Sequence, residues 1–230
     1  MERSSTGSRN HPNESLLNLT LDDKLISMKP LNKNTFHAII RAVWCFVIGL
    51  IVEDIDTNMF MFTFPKQQDK DRILANSPWN FKGFHMVLSH CPPELSINEI
   101  ALNFSVFWIQ IHGLPMDMPT NKNAERIGQV FGNLIKSDRA SIFGVTLRRY
   151  LRLKVELKVE QPLLEGFELA RPNGEVRKIL IQYERLSDFC YGCGRLGHIV
   201  QTCPIYMFPP DFSKYGPWMR VENTSVRRND

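Results

Sequence analysis

Cysteine is scarce in this chain of 230 residues, five in all, and long apolar runs are missing. The most apolar window, Ala42–Val52 (AVWCFVIGLIV), is closed off by Arg41 and Glu53. A membrane-spanning helix needs about 20 such residues, so this window reads as buried core and no membrane is expected. The stretch up to Pro30 is polar and lacks the apolar centre of a secretory signal. An odd number of cysteines, three of them crowded together, does not suit a secreted disulfide framework. A reducing compartment, nucleus or cytoplasm, is expected.

Catalytic signatures are absent as well. The chain holds no P-loop, no G-x-S-x-G, no H-E-x-x-H and no paired-carboxylate constellation. His37, His85, His90 and His112 are scattered and read as half-buried or surface residues. Neither an enzymatic activity nor a small-molecule substrate is expected. Extreme charge is missing too: a net charge of +4 is compatible with a polyanion partner without demanding one. The 43% hydrophobic and 23% charged residues indicate a globular chain, long enough for one large domain or two small ones.

What is present is ordered by spacing. Residues 1–15 read as a disordered polar tail. Residues 16–92 give a strand in DDKLIS and a helix beginning near Asn34 or Thr35, with Phe36, Ile39, Ile40, Val43 and Trp44 at helical spacing. Strands GLIVEDID and NMFMFTF follow around a turn at 56–58. A charged helix with Ile73, Leu74 and Ala75 inward comes next, then a strand or strand pair in WNFKGFHMVLSH. The order β-α-β-β-α-β is the ferredoxin-like, RNA-recognition-motif-like arrangement, so the fold class is α+β. Phe60, Phe62 and Phe64 alternate onto one face and read as core, not as a base-stacking platform.

Residues 104–187 read as a second, smaller α+β unit. Phe107, Ile109 and Ile111 alternate against Trp108, Gln110 and His112. A helix follows with Ala124, Ile127 and Val130 on one face and Gly132 as its C-cap. In RRYLRLKVELKVE, Leu151, Leu153, Val155, Leu157 and Val159 point one way and charged residues the other. A closing hairpin places Asn173-Gly174 at a type I′ turn. No period of 20–50 residues repeats. Residues 205–230 are proline-rich and expected to be extended.

Between the second unit and that tail, residues 188–204 hold Cys190-x2-Cys193-x4-His198-x4-Cys203. Three thiolates and one imidazole suit one tetrahedral Zn2+ ion, and with all four positions filled by protein the site is structural. Gly194 and Gly197 sit where the chain must reverse tightly, with positive φ expected at Gly197. Ordinary buried thiols or a redox C-x-x-C pair leave His198 unexplained. Without zinc, residues 188–204 are expected to lose order while the α+β core stays folded.

The segment resembles the CCHC zinc knuckle of retroviral nucleocapsid proteins. It keeps an aromatic after the first cysteine (Tyr191), the Gly-x-x-Gly-His core (Gly194, Gly197, His198) and an aliphatic after the histidine (Ile199). The resemblance implies that Tyr191 and Ile199 form a platform for an unpaired base; stacking of this kind contributes about 1–3 kcal/mol per base. Arg195 would add a phosphate or edge contact. Packing against the neighbouring hairpin is the competing reading for Tyr191 and Ile199.

In order along the chain, PWNFKGFHMVLSHC, FWIQIHGLP, ERIGQVFG, YERLSDFCYGCGRLGH and YGPWMRV resemble the first-open-reading-frame proteins of plant LINE-type retrotransposons. These carry a plant domain of unknown function followed by a zinc knuckle. The resemblance implies a retrotransposon-derived protein that binds the element's RNA as a chaperone or particle component, with self-association compatible with that role.

A second nucleic-acid candidate is the basic stretch Arg148, Arg149, Arg152 and Lys154, which could track a phosphate backbone. The competing reading is a solvated strand face cross-paired with Glu168 or Glu184. The expected function is zinc-dependent binding of single-stranded nucleic acid, RNA rather than DNA. Two rival classes are a protein–protein adaptor using the knuckle and a capsid–nucleocapsid fragment; the strands at 107–111 and 151–159 weigh against the latter.

Overall fold

The computed structural model describes residues 20–26, 30–91, 94–96, 99–100, 102–138, 150–171, 173–205 and 213–221. The first part of the chain runs β1 (Thr20–Ile26), α1 (Lys33–Val43), β2 (Ile51–Asp56), β3 (Met59–Thr63), α2 (Gln67–Ala75), β4 (Trp79–Phe81) and β5 (Phe84–His90). The second runs β6 (Phe104–His112), α3 (Asn121–Phe131), β7 (Asn133–Ser137), β8 (Tyr150–Lys158), β9 (Gly166–Ala170) and β10 (Val176–Tyr183). Two antiparallel sheets result, ordered β2-β3-β1-β5-β4 and β7-β8-β6-β10-β9. The protein is thus α+β, and no helix among the described residues is long and apolar enough to cross a membrane.

Adding five to each strand number of the first sheet gives the second. The chain therefore traces one path twice. Each crossover through a helix passes over neighbouring strands: β1 reaches β2 across β3, and β3 reaches the edge strand β4 across β1 and β5, after which β5 turns back between β4 and β1. The second pass has one omission, because residues 159–165 contain no helix where α2 lies in the first.

The first core forms where α1 lies on β3. Asn32 caps this helix, its side chain accepting the Thr35 N–H at 3.0 Å, earlier by two or three residues than the Asn34 or Thr35 expected from spacing. An Asn reaches the N–H three residues ahead, and Asn32 stands that distance before Thr35. Phe60, Phe62 and Phe64 are wholly buried, as their alternation predicts. Phe36 stacks on Phe60 at 3.9 Å, and Trp44 meets Phe62 edge-on at 4.9 Å. Burial of each such side chain stabilises by about 1.5–3 kcal/mol.

In the second pass Leu151, Leu153, Val155, Leu157 and Val159 are all buried beside Phe107, Ile109 and Ile111. On α3 the expected Ala124 and Ile127 do face the core, but Val130 does not. Ala124, Gly128 and Phe131 face inward, and Val130 is 66% exposed. Gly128 sets this rotation, since a Cβ there would stand 2.6 Å from that of Leu134. The closing hairpin also departs from type I′. Gly174 N–H donates to the Arg171 carbonyl at 3.0 Å, and Gly174 is the described turn residue with positive φ, at 83°. A single left-handed glycine after a turn gives the three-residue bulged hairpin instead.

Phe189, Leu196, Tyr215 and Met219 belong to the same buried cluster as Phe107, Ile109 and Tyr183. Together with Leu163 they fill out the core on the face that lacks a second helix. The Tyr183 hydroxyl accepts the Leu164 N–H at 3.1 Å and donates to the Leu164 carbonyl at 3.0 Å, pinning the connection 159–165 down. Residues 213–221 are not the extended tail that proline content predicts. Pro217–Met219 make a 3-10 turn, and Val221 N–H donates to the Tyr183 carbonyl at 3.1 Å. Composition misses this because burial of Tyr215 and Met219, not backbone preference, decides it.

The two sheets meet along a seam. Asp188 N–H donates to the Gly83 carbonyl at 2.7 Å, and Asn80 Nδ2 donates to the Arg185 carbonyl at 2.7 Å. Lys154 Nζ reaches the Ala75 carbonyl at 3.2 Å, and Arg185 Nη1 reaches that of Asn76 at 2.6 Å.

Candidate metal centre and nucleic-acid surface

After β10 the chain turns at Arg185, whose φ is 53°, and enters residues 188–204 through a bridge between Phe189 and Leu196. Cys190 N–H donates to the Arg195 carbonyl, and Gly194 N–H donates back to Cys190, both at 2.8 Å. This reversal needs left-handed backbone, with φ of 75° at Gly194 and 88° at Gly197. A short 3-10 turn, Val200–Thr202, then carries the chain back to Cys203.

These turns bring the ligand atoms of Cys190, Cys193, His198 and Cys203 within 4.8 Å of one another. Cys193 Sγ lies 3.3 Å from His198 Nε2. Burial pushes the Cys190 thiol up to about 11. Burial also lowers the His198 pKa, helped by the Arg195 charge, while a hydrogen bond between the ring and the Leu196 backbone opposes it. A buried thiol of this kind ionises readily when a cation accepts the thiolate. The soft donor set of three sulfurs and one nitrogen, complete within the protein, can hold a metal ion such as zinc.

The residues expected to touch nucleic acid fall into three groups. Tyr191 and Ile199 flank the cluster. Ile199 is 47% exposed, whereas Tyr191 is half-buried, edge-on to Phe189 at 5.0 Å, with its hydroxyl accepting from Arg220 Nη1 at 3.2 Å. Arg195 is anchored, its Nε donating to the Glu160 carbonyl at 2.9 Å.

On β8, Arg152 is held in a bidentate pair with Glu184, both bonds 2.7 Å, with Asp138 at 3.6 Å and the Trp108 ring 3.7 Å beneath its guanidinium. The hydrogen bonds it donates to the Glu184 carboxylate raise its pKa further. For Arg152 the cross-paired reading of the strand face is the one the geometry supports. Lys154 stands beside the same ring at 5.9 Å, its pKa lowered by burial and by the Lys136 and Arg152 charges. Arg148 and Arg149 lie outside the described residues.

Spacing alone passed over Trp108, Lys136, Arg185 and Arg220. Alternation placed Trp108 on the polar face, but its significance depends on register: Trp108 pairs directly with Lys154 across β6 and β8.

Residues 157–205 match the family model described as a zinc knuckle, and residues 23–99 match that of a domain of unknown function, DUF4283. The chain carries a DUF4283 domain followed by a CCHC zinc knuckle. The zinc-knuckle match begins well before Cys190 and takes in β9 and β10, in keeping with a knuckle built onto that hairpin. An uncharacterized protein of Arabidopsis thaliana is 24% identical over 157 residues, covering 68% of this chain and 47% of that protein. The chain thus spans about half the length of this curated relative.

Two solved structures also align. The RNA-binding domain of Hrp1 in complex with RNA covers 60% of this chain and 81% of its own, with 14% identity and a TM-score of 0.28. The three N-terminal RNA-binding domains of the yeast splicing factor Prp24 cover 76% and 68%, with 11% identity and a TM-score of 0.28.

Proposed function

We propose that the protein binds single-stranded nucleic acid, RNA in preference to DNA, through a knuckle closed by one structural zinc ion. The observation that carries this reading is the cluster of Cys190, Cys193, His198 and Cys203, with a half-buried Tyr191 next to the first ligand and an exposed Ile199 next to the histidine. Zinc knuckles take unpaired nucleotides, and the exposed Ile199 with the open edge of Tyr191 offers apolar surface that a base can cover. The first sheet, with its two strand-skipping crossovers, is ferredoxin-like and serves as scaffold. The ordered likeness to first-open-reading-frame proteins of plant LINE-type elements favours RNA as ligand.

The test is anisotropy of a fluorescent single-stranded RNA across a salt series, for wild type, Cys193→Ser and Ile199→Ser, with zinc content measured in each. Wild type is expected to bind with a salt-dependent affinity. Ile199→Ser should keep its zinc and fold yet lose affinity about fivefold or more, as removal of a stacking contact implies. Absence of RNA binding by the zinc-loaded wild type at low salt would overturn the reading in favour of a protein–protein adaptor.

A further inference from the structure

Three hollows along one side of the molecule share their walls. A trough of about 810 Å³ lies beside β7 and β8, bordered by Lys136, Trp108 and Arg152. Trp108 and Arg152 also wall a hollow of about 150 Å³, whose other side is formed by Asn76, Pro78 and Arg185. Those last three border a third hollow of about 580 Å³ that reaches Trp79 and Arg220. Arg220 in turn donates to the Tyr191 hydroxyl of the knuckle. The three make one cleft, running from β7 along the seam between the sheets to the metal centre.

The charge in this cleft is not self-cancelling. The acids on its wall, Asp138 and Glu184, are both engaged by Arg152. Among the described residues no ion pair joins an acid to Lys136, Lys154 or Arg185. Lys154 and Arg185 are held instead by backbone carbonyls at the end of α2, those of Ala75 and Asn76, where the helix terminus favours cations. Near both lies a flat element, the Trp108 indole with the Arg152 guanidinium layered on it at 3.7 Å: Lys154 Nζ is 5.9 Å from that ring, and Arg185 lines the same hollow.

We propose that a single strand of nucleic acid follows this cleft before it reaches the knuckle. Its phosphates pass Lys136, Lys154 and Arg185, and a base packs on the Trp108–Arg152 layer. The proposal rests on the knuckle being a nucleic-acid reader and adds the path that the strand takes. A row of cations beside a planar stack fits a base-bearing polyanion; an acidic peptide would use the cations and leave the stack idle.

The experiment uses the full zinc-loaded chain and two oligouridines, one of about 4 nucleotides and one of about 16, the range of single-strand site sizes. Lys136→Glu combined with Arg185→Glu should weaken the long RNA about tenfold and lower its salt slope by about 1.4, at roughly 0.7 per phosphate contact. The short RNA, held at the knuckle, should bind as before. Trp108→Ala should weaken the long RNA without changing the slope, and circular dichroism with zinc content verifies that each variant is folded. If the double variant binds long RNA with wild-type affinity and slope, the cleft is overturned and the knuckle reading stands. If wild type binds neither RNA, both readings fall. Displacement of the long RNA by poly-glutamate at equal charge would overturn the cleft in favour of an acidic protein partner.

Discussion

The imidazole of His85 lies flat on the ring of Phe107, centroids 4.9 Å apart and planes 13° from parallel. His85 ends its reach on Ser105, with Nε2 2.8 Å from Oγ. Since β5 carries His85 and β6 carries Phe107 and Ser105, one wholly buried histidine closes the seam between the sheets. Its Nδ1 has no hydrogen-bond partner among the described residues.

Burial pushes the His85 pKa down to about 3 from an ordinary 6.5. The unfolded chain therefore takes up a proton near pH 6.5 that the folded one refuses. The contribution of neutral His85 is complete above pH 6.5 and is lost as pH falls toward 3, at about 1.4 kcal/mol per pH unit. Urea unfolding between pH 7 and pH 5 should show this slope in wild type and a shallower one in His85→Phe. Equal slopes would mean that the imidazole titrates freely at the seam.

Removal of zinc should reach beyond residues 188–204. Phe189 and Leu196 belong to the buried cluster that includes Tyr183, and each contributes about 1.5–3 kcal/mol by burial. With a chelator, hydrogen exchange should accelerate across β10 and residues 213–221 as well as the knuckle, while β3 and β5 keep their protection. Loss confined to 188–204, the expectation from spacing alone, would show the knuckle to be an appendage.

Gly194→Ala should destabilise on two counts. The φ of 75° is left-handed, and a Cβ would stand 2.4 Å from the Tyr215 ring. The cost should be at least about 1 kcal/mol, read as a lower melting temperature and weaker zinc retention in a competition with a chelating dye. A Gly174→Ala control has no neighbour within 4 Å to meet, so it isolates the backbone part.

Arg152 and Glu184 should prove coupled in stability. Their side chains are each 22% exposed and joined by two charge-assisted bonds. A double-mutant cycle of Arg152→Ala and Glu184→Ala should return an interaction of about 1 kcal/mol, the upper range for partly exposed pairs. A value near zero would mean that Arg152 is held by Trp108 and not by its carboxylate partner.

Legibility followed the range of each interaction. Phe60, Phe62 and Phe64, and the β8 series from Leu151 to Val159, were readable because strand alternation is a two-residue property. The four metal ligands were readable because their spacing closes a loop within 14 residues. Ala124 and Ile127 on α3 were placed rightly, but Val130 was not, because Gly128 faces inward to meet Leu134, which no periodicity of apolar residues reveals. His85 looked like a scattered histidine, since its burial depends on strands from two different sheets.

By itself, then, the sequence determined the α+β class, the buried face of β3 and β8, and the donor set at Cys190, Cys193, His198 and Cys203. The tertiary structure decided that the chain traces one sheet path twice, that knuckle and tail complete the core where a second helix is missing, and that Trp108, Lys136 and Arg185 share a cleft. Those relations join residues far apart in the chain. They are set by strand register and by which surfaces remain to be buried once each sheet has formed, and neither quantity is contained in any local stretch.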